Sequence, residues 1–288
     1  MFKNTFKTTV LLAALGGLIV GVASLLGGGS SGAVMFGLML ALVMVGGSYW
    51  FSGSLALKSA GAQVITEADH PEFYGMVRDL SERAGLPMPK VAVSPAEQPN
   101  AFATGRNPQN AVVCATRGLL QNMTPAEVRG VMAHELMHVR HRDILIGSVA
   151  AAVATAISSI AQMAMFASMF GGSSDDEDRP NPIAILLISM LAPMAAGLIQ
   201  MAISRSREFE ADRGAAELLQ DGEPLASALE KLELIGSRVP MQVAPAQAQA
   251  YIHNPLAGTP KRGLDMARLF STHPATQERI ARLRAMQF

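Results

Sequence analysis

Apolar and mixed stretches alternate along this chain. Four runs carry no charged residue: 9–26, Ala33–Phe51, Ile144–Phe170 and Ile183–Ile203. As a helix, each is long enough to cross a hydrocarbon core of about 30 Å. The pattern predicts four membrane helices arranged as two hairpins. Lys3 and Lys7 ahead of the first run also fit a signal peptide. Against that, the second run follows after only Gly27–Gly32, and Tyr49-Trp50-Phe51 closes it with aromatic residues that suit a membrane interface. The third and fourth runs, the latter carrying Pro193, also fit a helical pair buried in a soluble core; their length and lack of charge favour the bilayer. Gly17 with Gly21, and Ala150, Ala154 and Ser158, recur at the four-residue spacing of close helix packing.

The remaining segments have the texture of a folded aqueous domain. Glu72–Arg83 sets Phe73, Val77 and Leu80 on one side of an amphipathic helix, after a turn at Ala68-Asp-His-Pro71. Lys90–Ser94, Ala101–Gly105 and Ala111–Ala115 read as short strands, the last two joined by a polar turn containing Asn107-Pro108. Thr124-Pro125-Ala126-Glu127 starts the next helix: a threonine N-cap, a proline where no N–H is needed, and a glutamate placed to reach back. The expected fold is mainly α and integral to the membrane, with four transmembrane helices and an α+β domain carrying a small sheet. Its parts are an N-terminal hairpin, 1–57; the first part of the domain, 58–143; a second hairpin, 144–203; and the second part of the domain, 204–288.

Composition agrees with a bilayer. Half of the 288 residues are hydrophobic and only 16% charged, against about a quarter charged in soluble domains, and mean hydropathy is +0.27. The formal net charge of zero removes the basic field that attracts nucleic acid. The single cysteine, Cys114, lies in an apolar run and reads as a buried inert thiol. Lys3, Lys7, Lys58, Arg140, Arg142, Arg205 and Arg207 flank the hairpins on the side of the mixed domain, whereas the connecting loops hold only Arg179. By this bias the N-terminus and the domain face the cytoplasm. The acidic loop at 175–178 reads as a solvated external turn.

Candidate chemistry concentrates in His134-Glu135-Leu-Met-His138. Residues four apart on a helix share a face, so both imidazoles can grip one metal ion. Glu135 beside them is placed for the general-base role of metal-assisted hydrolysis. A catalytic site of this kind needs a third protein ligand. In the segment Ser204–Asp212, helical spacing puts Glu208, Asp212, Ala215 and Leu219 on one face and Glu210, Arg213, Glu217 and Asp221 on another. Glu208 is the better ligand candidate and Asp212 can hold a ligating imidazole; on spacing alone all these acids also fit a solvated amphipathic helix. His141 is three residues past the second histidine and fits a metal role less well, while His70 and His253 have only turn and loop contexts.

These motifs, with Ser-Arg-Ser-Arg-Glu-Phe-Glu-Ala-Asp at 204–212 and Ser271-Thr-His-Pro274, resemble the membrane zinc metalloproteases of the HtpX and Ste24 type, the bacterial HtpX branch most of all. The resemblance implies a zincin-like domain with one Zn2+ held by His134, His138 and Glu208, Glu135 as general base and Asp212 in support. It implies that Asn100, Ala101, Phe102 and Ala103 line the substrate groove, where an exposed strand can bind an extended peptide. It also implies that His273 donates to the oxyanion, and it matches Arg279 to an arginine near the site. The expected protein is a multi-pass endopeptidase of the bacterial inner membrane. It would cleave membrane proteins, misfolded ones in quality control, and also itself. Alternatives are a prenyl-peptide processing protease of the Ste24 branch and an inactive membrane scaffold or adaptor.

Overall fold

The computed structural model describes residues 28–144, 205–236, 251–255 and 274–288, with single positions between 13 and 24 and at 238, 239, 241 and 243. The third run beyond Ile144, the fourth run, the acidic loop and His273 lie outside the described residues.

Helix α1, Ser31–Ser59, begins at Ser30, whose hydroxyl accepts the Ala33 N–H at 3.2 Å. It runs past the expected end at Phe51 and bends by 64° between Ser31–Gly47 and Tyr49–Ser59. The bend falls at Gly46-Gly47-Ser48, small residues that let a helix kink. Among the described residues no single helix is long and apolar enough to cross a membrane; the two arms of α1 meet that measure only together. Phe36, Met39, Leu42, Val43, Trp50 and Phe51 remain more than half exposed, an apolar surface with no covering from the described chain.

Four strands form one mixed sheet: β1, Gln63–Val64; β2, Lys90–Ser94; β3, Ala101–Thr104; and β4, Val112–Thr116. Their order is β1-β2-β4-β3, with β2 and β4 parallel and the outer pairs antiparallel. The side chains alternate as a pleated strand requires. Ala92, Phe102, Val112 and Cys114 face Ala56, Leu57 and Ala60 at the end of α1, while Val91, Ala101, Ala103, Val113 and Ala115 face the helical layer.

That layer comprises α2, Pro71–Arg83; α3, Arg117–Asn122; α4, Pro125–His141; α5, Arg205–Leu219; α6, Glu223–Gly236; and α7, Thr276–Arg284. Phe73, Val77 and Leu80 of α2 are buried as their spacing predicts. Helix α4 is central and has the predicted capping box: Glu127 accepts the Thr124 N–H at 2.8 Å, and Thr124 accepts the Glu127 N–H at 3.3 Å. The same carboxylate accepts from Ser227 at 2.6 Å and Lys231 at 2.8 Å, which ties α6 to the start of α4. Two glycines let helix axes approach. A Cβ on Gly130 would stand 2.6 Å from the Leu225 nitrogen of α6, and one on Gly214 of α5 would stand 2.8 Å from the Met137 sulfur.

Candidate metal centre and active site

The crossing of α4 and α5 brings together residues seventy positions apart. His134 Nε2 lies 3.1 Å from His138 Nε2 and 3.8 Å from Glu208 Oε2, and His138 Nε2 lies 3.6 Å from Glu208 Oε1. Donor atoms placed 2.0–2.1 Å from zinc at tetrahedral angles stand about 3.3 Å apart. The triangle therefore matches a three-ligand site in size. His134 and Glu208 are buried and His138 is nearly so.

The far sides of both imidazoles meet carboxylates. His134 Nδ1 lies 2.9 Å from Asp212 Oδ1, and Arg279 holds that aspartate in a two-pronged grip at 2.8 and 2.7 Å. His138 Nδ1 lies 3.6 Å from Asp143 Oδ2, whose other oxygen is 3.5 Å from Arg207 Nη1. In the tautomer that places an Nδ1 proton on the carboxylate side of each ring, both Nε2 lone pairs would face Glu208, an arrangement that a cation stabilises. With Glu135 ionised and both imidazoles neutral, as metal ligands are, the buried carboxylates Glu135, Asp143, Glu208 and Asp212 outnumber the buried guanidiniums of Arg207 and Arg279 by two. A divalent ion balances that excess.

The proton affinities follow from burial and charge. Burial holds His134 down to about 4 against the pull of Asp212, which suits a neutral imidazole near pH 7. For His138, burial is outweighed by Asp143 and Glu208, which lift it to about 9 and report the same negative surroundings. Burial pushes the Glu135 carboxyl up to about 7 with help from Glu208; the charges of His138 and Arg279 and a hydrogen bond from the Ala103 backbone work against it. Asp212 stays low, at about 2, because Arg279 outweighs its burial.

The Ala103 contact sets Glu135 beside β3, the edge strand. Asn100 and Ala101 are fully buried at the start of that strand. Asn100 is fixed by its N–H on Thr116 Oγ1 at 2.9 Å and by its side-chain NH2 on the His253 carbonyl at 2.8 Å. These contacts hold Asn100 in place at the β3 edge. His141 stands apart from the three-residue cluster. Glu210 is exposed, as the helical face predicts.

Three site residues escaped the sequence reading or were undervalued by it. Arg207, read in the sequence only as a basic residue flanking the second hairpin, is 5% exposed and faces Asp143. Asp143 reaches His138 because Arg142 takes the left-handed conformation, φ 60°, and turns the chain back, with Asp143 N–H on His138 O at 2.9 Å. A glycine at 142 would have signalled this turn; an arginine there gives no such sign. Arg279 is 2% exposed at the centre of the site, with Nη1 3.6 Å from Glu208.

Residues 67–287 match the model of a known family, peptidase family M48. The chain belongs to peptidase family M48. Curated relatives agree along the whole length. A "Protease HtpX homolog" of Methylibium petroleiphilum is 52% identical over 286 residues, 98% of each chain. One of Polynucleobacter necessarius is 53% identical over 291 residues, 98% of this chain and 96% of that one. The crystal structure of S. mikatae Ste24p shares the fold at a TM-score of 0.51 and 19% identity, over 98% of this chain and 66% of that longer one. This M48 peptidase is a metalloendopeptidase, a hydrolase of peptide bonds, so the inactive-scaffold alternative falls. Its family implies a metal cofactor, and His134, His138 and Glu208 are the cluster that fits one.

Proposed function

We propose that this M48 peptidase is a zinc-dependent endopeptidase of the bacterial inner membrane that cleaves misfolded membrane proteins, with its catalytic domain facing the cytoplasm. The observation that carries the reading is the convergence of His134, His138 and Glu208 beside Glu135, next to the edge of β3. Four uncharged runs and the exposed apolar flank of α1 support the bilayer. Residues 58–143 and 204–288 act as two parts of one catalytic domain, joined through the hairpin at 144–203.

His134, His138 and Glu208 hold zinc, which when bound supplies a Lewis acid for polarising the peptide carbonyl and activating water. Glu135 takes the proton of the attacking water and delivers it to the leaving amine. A carboxyl held near 7 by burial suits both transfers. Asp212 and Asp143 orient the two imidazoles, and Arg279 keeps Asp212 ionised. Asn100 and the backbone of Ala101–Ala103 receive an extended segment of substrate. His273 takes the oxyanion-donor role that the resemblance assigns to it.

Zinc content and cleavage of a membrane-protein reporter test this together. Wild type and Glu135→Gln should each carry one zinc per chain, while the variant loses about 10²–10⁴-fold in kcat. Glu208→Ala should lose the metal and Glu210→Ala should keep it. Equal cleavage by wild type and Glu135→Gln, or wild type lacking zinc, would sink the proposal.

A further inference from the structure

We infer that Tyr251-Ile252-His253 occupies the β3 edge in the manner of a substrate, so that the chain carries its own competitor and the groove's guest is an extended peptide with an aliphatic residue at the Ile252 position. This rests on the reading of β3 as the peptide-binding edge.

The segment pairs antiparallel with β3 through a Phe102–Tyr251 bridge. Ile252 N–H donates to Ala101 O at 3.0 Å, and His253 N–H donates to Asn100 Oδ1 at 3.3 Å. Asn100 Nδ2 in turn donates to His253 O at 2.8 Å, and Arg279 Nη1 donates to Ile252 O at 3.3 Å. The same Nη1 is 3.6 Å from Glu208, so the Ile252–His253 peptide bond lies within one guanidinium of a metal ligand. Ala101 O and both side-chain ends of Asn100, the groups an incoming peptide would use, are thus already engaged.

Side chains alternate as in a bound strand. Tyr251 packs edge-on against Phe102, with ring centroids 5.1 Å apart, on the α1 side of the sheet. Ile252 turns the other way, 3% exposed, into the core shared with α4. His253 sets the Cδ2–Nε2 edge of its ring against Gly236, where a Cβ would come within 2.8 Å of both atoms. A burial site for one aliphatic side chain, flanked by backbone pairing, selects an extended segment with a hydrophobic residue there. When an internal guest leaves only a fraction of molecules open, apparent affinity for an external guest falls by that fraction.

The test is peptidase kinetics on an unstructured reporter peptide. Ile252→Pro removes the N–H that pairs with Ala101 O. It should lower KM about 3- to 10-fold with kcat within about twofold. A synthetic peptide of residues 249–255 should inhibit wild type competitively, and the proline variant more tightly by the same factor. The peptide carrying Asp in place of Ile should not compete. A proline variant that keeps the wild-type Tm but has an unchanged or raised KM overturns the inference, as does failure of the peptide to compete. If the proline variant does not fold, the peptide alone decides. Asn100→Ala separates the two levels: with no effect on KM in either background, the groove reading itself fails. If Asn100→Ala raises KM while Ile252→Pro does not lower it, only the internal competitor is lost.

Discussion

The two histidines of the candidate metal site are supported unequally. Behind His134, the 2.9 Å contact to Asp212 and the two-pronged grip of Arg279 form a chain in which every side chain is 5% exposed or less. Behind His138 the contacts stretch to 3.6 Å to Asp143 and 3.5 Å onward to Arg207, and the imidazole is 16% exposed. A planar guanidinium meeting a carboxylate at two points fixes direction as well as charge, whereas one long contact supplies mainly charge. The metal site thus has a rigid wall and a yielding one. The rigid wall is built by α5 and α7; the yielding wall joins Arg207 of α5 to Asp143 in the turn just beyond α4.

The largest effect should come from breaking the rigid wall. Arg279→Ala leaves the buried Asp212 charge without its cationic partner, which costs on the order of 3–5 kcal/mol in unfolding experiments. Asp212→Asn should follow, weakening zinc affinity about 10–100-fold in a chelator competition. Asp143→Asn should do less, about threefold, because the contact it loses is longer and more exposed. Equal losses at Asp143 and Asp212 would erase the asymmetry. Arg207→Lys should change zinc affinity little and Arg279→Lys markedly, since lysine cannot reproduce the two-pronged grip.

The smallest effect lies away from both walls and depends on pH. Burial would raise the Glu127 carboxyl, but hydrogen bonds from Lys231, Ser227 and Thr124 bring it to about 2, below its unperturbed 4.5. A depressed folded-state value stabilises above the unfolded one and is lost as pH falls toward 2. Glu127→Gln in metal-free protein should therefore cost about 1–2 kcal/mol near pH 6, and the gap to wild type should close between pH 4.5 and 2. A gap that stays constant over that range would assign the loss to packing instead.

Local signals in the chain foretold what depends on neighbours in sequence. The α4 capping box, the alternation in β2, β3 and β4, the burial of Phe73, Val77 and Leu80, and the sorting of Glu208 from Glu210 all follow from periods of two or 3.6 residues. What stayed hidden depends on distant partners. The parallel pairing of β2 with β4 needs a crossover, and the two-residue β1 has too little pattern to notice. Spacing alone gives no sign that Arg279 meets Asp212, because only the folded chain brings the two together. Tyr251–His253 is too short to announce a strand and is defined by the edge it meets.

The distance along the chain between the metal-binding groups also sets an order of events. His138 precedes Glu208 by 70 positions, and Arg279 follows Glu208 by 71. At a synthesis rate of about 5–20 residues per second, a nascent chain presents its paired histidines for several seconds before the third ligand emerges, and as long again before the guanidinium that steadies it. The internal segment at 251–253 is made between those two moments. On the proposed reading, the groove's internal guest is therefore available before the metal site gains its last support.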